Sequence, residues 1–121
     1  AHRLTESTQA DFVYKATHAN HPSTKWLRSS QVAYKHGLQH LRALFAEYTH
    51  RYGKRHATER LLPHLAQVPE ALPDLPFVEP PQCMYDECRG MDTIAAYRDY
   101  YRVRENEIDM RWTKRSKPQW L

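Results

Sequence analysis

One stripe of side chains constrains this chain more than anything else in it. Tyr34, Leu38, Leu41, Phe45, Tyr48 and Tyr52 recur at steps of four and three. That spacing stacks six apolar or aromatic residues on one side of an α-helix and leaves the opposite side polar. Ser29 or Ser30 is placed to cap the start, and Gly53 suits the left-handed turn at the end. A helix from Ser30 to Tyr52 is therefore the expected backbone of the fold. Gly37 inside it is a poor helix former, which predicts that a neighbouring helix approaches closely there.

Shorter elements flank this helix. Asn20-His21-Pro22-Ser23 reads as a turn into a short helix carrying Trp26 and Leu27, since proline fits a first helical turn. His56–Gln67 predicts a third helix with Leu61, Leu62 and Leu65 on one side, kinked or split by Pro63. Five prolines between Pro69 and Gln82 predict an extended strap across the helices. A last helix is expected from Asp92 or Thr93 to about Lys114, with Ile94, Tyr97, Tyr101, Ile108 and Trp112 as its stripe. Pro118 then leaves residues 115–121 as a basic and aromatic tail. The expected architecture is all-α: three or four helices with a Pro-rich strap, in one domain of 121 residues.

Composition enters mainly through charge. The chain carries 18 Lys+Arg and 14 Asp+Glu, a formal net charge of +4. Phe12–Arg60 holds nine basic residues and two acids, Leu65–Tyr97 one basic residue and six acids, and Met110–Leu121 four basic residues and no acid. Such segregation points to an anionic partner for the basic stretches, or to a strap that neutralises them. No segment has the roughly 18 apolar residues of a membrane span, and no secretory signal opens the chain. Ala1 in place of Met implies a processed chain or part of a longer one. Cys83 and Cys88 fit neither zinc nor CxxC redox spacing and read as reduced thiols.

Four clusters carry candidate chemistry. His36, His40 and Glu47 share a helical face and resemble a metal set, but that face lies opposite the apolar stripe, and a solvated polar surface is the simpler reading. His18-Ala19-Asn20-His21-Pro22-Ser23 crowds imidazole, amide and hydroxyl groups before a helix start. There they bind an anion or place a general base, unless Asn20 or Ser23 is only a cap. Glu47 to His56, with Glu59, joins a Glu–Arg helix pair to a basic turn. His21 or His56 is the candidate general base, Glu59 the group that orients the imidazole, and Arg51 and Lys54 the phosphate holders, with His18 beside them. The ordinary alternative is a set of dipole complements and surface pairs. Finally, Arg98, Tyr100 and Arg102, with Lys114 at the expected helix end and Arg115 in the tail, interleave rings and cations as nucleic-acid contacts do. The alternative is Tyr97 and Tyr101 in the core with Tyr100 and the arginines on a solvated face. No spacing selects a metal or a cofactor.

Several strings also resemble a small protein family widespread in tailed phages, including those of cyanobacteria. They are Tyr14–Ser23 with Trp26, Glu47–Lys54 with His56 and Glu59, Pro80–Met84, and Ala96–Tyr101 followed by Trp112 and Pro118–Trp120. The resemblance spans nearly the whole chain. It implies a phage protein working in the cytoplasm of an infected host, and supplies little chemistry. It also implies a further polar segment ahead of Ala1, and an Asn where Ala33 stands here. The expected function is binding or processing of nucleic acid or nucleotides. The rival is a non-catalytic protein that docks on a host or phage protein through the acidic, Pro-rich segment.

Overall fold

The computed structural model describes all residues from Ala1 to Leu121. It is all-α, with helices α1 (Pro22–Leu27), α2 (Gln31–Tyr52), α3 (Leu62–Leu65) and α4 (Thr93–Val103), three short 3₁₀ turns and no strand. Contacts gather into two compact units, Ala1–Val78 and Glu79–Leu121.

In the first unit, α2 forms where the stripe predicts it. The Ser30 hydroxyl accepts from the Ala33 N–H at 3.0 Å and caps the start. Gly53 closes the end at φ +66°, with its N–H donating to the Thr49 carbonyl. Tyr34 and Phe45 are buried, Leu38, Leu41 and Tyr48 half-buried, and Tyr52 emerges to solvent. The close approach at Gly37 is real: a Cβ there would stand 2.1 Å from Leu27 Cδ2 of α1.

The segment after Gly53 is split rather than kinked. It runs as a 3₁₀ turn over Ala57–Leu61 and then a single α-turn over Leu62–Leu65. Pro63 has no N–H to give, so an uninterrupted ladder through this stretch is not available. Leu61 is still buried, as are Leu72 and Pro69. The strap then leaves without regular structure and is pinned at several points, among them these two. The Gln31 N–H, an unpaired donor in the first turn of α2, bonds to the Pro73 carbonyl at 2.9 Å, and Trp26 Nε1 donates to the Val78 carbonyl at 2.8 Å. Trp26, His36 and Phe77 pack ring against ring at this crossing.

The second unit has a smaller core of Met84, Cys88 and Ala96, against which Tyr97 and Tyr100 pack. Asp92 Oδ1 accepts from the Ala95 N–H and starts α4. The helix stops at Val103, eleven residues short of the expected Lys114, so Ile108 and Trp112 lie outside it. The expected roles of two tyrosines are exchanged as well. Thr93, Ala96 and Tyr100 fall on the inward side at i, i+3 and i+7, whereas Tyr101 is rotated outward and stands 42% exposed.

Candidate functional site

The His18–Ser23 turn is built around the start of α1. The His18 carbonyl accepts from the His21 N–H at 3.0 Å, and His18 itself sits at φ +49°, a conformation uncommon outside glycine. His21 is the cap, in place of Asn20 or Ser23: its Nδ1 accepts from the Ser23 N–H at 3.1 Å. His56 does the same for the next turn, Nδ1 accepting from the Thr58 N–H at 3.2 Å. The two form one device used twice, His-Pro-Ser and His-Ala-Thr. In both, an N–H aimed at Nδ1 leaves the proton of the neutral ring on Nε2. The outward nitrogen of each ring is then a hydrogen-bond donor, suited to an anion.

Around the end of α2 the expected cluster does assemble in part. Arg51 Nε donates to Glu47 Oε1 at 2.7 Å, and both side chains are largely shielded. The His56 ring lies on Phe45 at 6.0 Å and edge-on to Tyr48 at 4.9 Å. Glu59 stands one 3₁₀ turn beyond His56, its N–H bonded to the His56 carbonyl, and its Oε2 is buried without a hydrogen-bond partner. Arg60 lies over the Tyr14 ring and donates to its hydroxyl at 3.3 Å. Arg60, followed by Thr58, holds the Tyr14 phenol below its ordinary 10. Lys54 projects from the turn after Gly53.

The two capped segments meet α2 at different places. Helix α1 meets α2 at Gly37, whereas His56 meets it at Phe45 and Tyr48, eight and eleven residues further on. At about 1.5 Å per residue that is roughly 12–17 Å along the helix.

In the second unit Arg98, Tyr100 and Arg102 are engaged with other residues of the unit. Arg98 covers the Trp120 ring at 5.5 Å. Arg102 pairs with Asp99 and donates to the Trp120 carbonyl at 2.5 Å. Tyr100 packs edge-on to Tyr85 and carries Arg104, which reaches its hydroxyl at 2.7 Å and also pairs with Glu107. Arg111 pairs with Asp109, and Lys117 with Glu105. Lys114 and Arg115 are exposed in the following turn, Lys114 at φ +56°.

Sequence reasoning missed a buried polar chain near the N-terminus. His2, 3% exposed, lies between Ser7 Oγ at 2.5 Å from Nδ1 and the Tyr34 hydroxyl at 2.7 Å from Nε2. The Tyr34 hydroxyl donates to the Leu65 carbonyl at 2.6 Å, so it accepts from His2 Nε2–H. The Gln9 N–H donates to Ser7 Oγ, which also meets His2 Nδ1. With the Nε2 proton committed to Tyr34, a neutral ring accepts from Ser7 at Nδ1. Burial foremost, then the α-amino group of Ala1 and His64, lowers the His2 pKa from 6.5, with Glu70 opposing. Burial pushes the Tyr34 phenol up to about 12. Nothing local to His2 or Ser7 announces this node. The one available signal was a tyrosine among the leucines of the stripe, whose hydroxyl needs a partner once buried.

The fold and these sites define an all-α protein in which two histidine-capped turns flank one long helix. No group of three or more His, Cys, Asp or Glu is arranged to hold a metal ion, and no helix is long and apolar enough to cross a membrane. Comparison with protein families, with curated proteins and with solved structures finds no match to this chain.

Proposed function

We propose that this is a nucleic-acid-binding protein whose contact surface lies on the Ala1–Val78 unit. One observation carries the reading. Ala1–Val78 holds ten Lys+Arg and six Asp+Glu, whereas Glu79–Leu121 holds eight of each, so the whole +4 resides on the first unit. Within that unit Lys15, Lys25, Lys35, Arg42, Lys54 and Arg55 are exposed and take part in none of its ion pairs. Uncompensated cations of this kind are what a phosphate backbone engages, by release of its condensed counterions. Of the strap's two acids in this unit, Glu70 is bonded to Thr8, and neither it nor Asp74 takes part in the ion pairs of the unit. The phage strings described above support a phage source for such a protein.

Fluorescence anisotropy with labelled DNA over a salt series tests the proposal. Affinity should fall linearly in log–log form with added salt, and Lys35→Gln and Arg42→Gln should each lower that slope by about one. Binding that is absent at low salt, or indifferent to salt, overturns it.

Processing of the bound nucleic acid is the second reading, favoured by the unpartnered Glu59 oxygen one turn from His56. Incubation with single- and double-stranded DNA, followed by denaturing electrophoresis, should then show products that Glu59→Gln abolishes. Intact substrate throughout would remove this reading and leave binding alone.

A further inference from the structure

Beside its apolar stripe, α2 carries a second one. Lys35, Gln39, Arg42, Ala46 and Thr49 repeat at the same steps of four, three, four and three, each one position after a residue of the buried stripe. All five are exposed, as are His36, His40, Ala43 and His50 beside them. The strip from Lys35 to Thr49 contains no acid. The one carboxylate of the helix, Glu47, lies on the side of His36 and His40 and is paired with Arg51. The strip from Lys35 to Thr49 is about 21 Å long at the usual helical rise.

We propose that this face of α2 enters the major groove of duplex DNA. The inference rests on the nucleic-acid reading above and names the form of nucleic acid and the element that reads it. Charge complementarity argues for a polyanion, and the residue types argue for a groove. Lys35 and Arg42 bracket Gln39, and Arg and Gln present the paired donors and acceptors that match guanine and adenine edges. Ala43 and Ala46 follow, small enough for the helix backbone to sit close to the groove floor. A major groove about 12 Å wide admits an α-helix. The deep, narrow groove of A-form RNA does not, and a single strand offers no groove at all. Duplex DNA is the occupant that uses the whole face.

The test measures anisotropy of labelled duplex DNA, duplex RNA of the same sequence and single-stranded DNA, each with the full chain and two variants. Ala46→Glu places a carboxylate at the middle of the face, and Ala95→Glu makes the same charge change on exposed α4. Both substitute a good helix former, and circular dichroism with urea melts checks that each variant folds. Expected are tightest binding to duplex DNA and about a tenfold loss with Ala46→Glu, as like charges meet, against less than about twofold with Ala95→Glu. Equal binding of duplex RNA or single strands, or equal effects of the two variants, overturns the groove assignment while leaving nucleic-acid binding in place. No binding to any probe overturns both.

Discussion

The two units solve the same problem, a helix carrying cations and rings, in opposite ways. In Glu79–Leu121 almost every cation of α4 and its tail meets an acid or a ring of the same unit: Arg102 with Asp99, Arg104 with Glu107 and Tyr100, Lys117 with Glu105, Arg98 on Trp120. In Ala1–Val78 the acids are too few, and α2 leaves Lys35 and Arg42 facing water. All eight histidines also lie in the first unit. A run of Tyr and Arg in a sequence therefore says less about a nucleic-acid partner than the number of acids within reach. Interleaved rings and cations are equally the means of self-pairing.

The contrast can be broken at four points, from the largest effect down. Phe45→Ala empties the middle of the first unit's core and should cost about 3–5 kcal/mol in a urea melt, whereas Ile94→Ala, at an exposed position of α4, should cost well under that. Tyr34→Phe strips the hydroxyl that both His2 and Leu65 use and should cost about 2–3 kcal/mol, because two shielded polar groups lose their partner. A loss near zero would mean that water replaces the hydroxyl.

The third is a pH effect confined to the first unit. Native His2 has its pKa below 6.5, so the unfolded chain takes up a proton more readily than the folded one. The contribution is complete above 6.5 and is lost as pH falls through 6.5 toward the folded value. Amide exchange read residue by residue should show Ala1–Val78 loosening over that range, less than in Tyr34→Phe, because a protonated ring keeps its bond to Tyr34. His2→Gln should flatten the profile, and the histidine-free second unit should show no such step. The smallest effect belongs to the exposed pairs: Lys117→Ala, which removes the Glu105 partner, should change stability by less than about 1 kcal/mol.

Much of the fold was legible in the residues because it is local. The length of α2, its start at Ser29 or Ser30 and its end at Gly53, the close approach at Gly37, a cap at Asp92 or Thr93 and the strap all follow from spacing, capping and proline chemistry. The structure selects Ser30 and Asp92. Where local reasoning failed, the competing choice was also local but finer. His21 rather than Asn20 or Ser23 caps α1, α4 ends eleven residues early, and Tyr100 faces inward in place of Tyr101. Of the candidate site, Glu47–Arg51 was readable as an i, i+4 pair. The rings beneath His56 were not, because they depend on how the turn after Gly53 folds back on α2.

What the sequence determined by itself is the set of helices, since a hydrogen bond to the fourth residue along and a cap three residues away need no distant partner. Only the tertiary structure decided which polar groups are used up. Burial of His2 against Tyr34, 32 positions away, sets its proton, and self-pairing in the second unit leaves the uncompensated charge on the first. Both depend on which surfaces meet, and no periodicity along the chain encodes that.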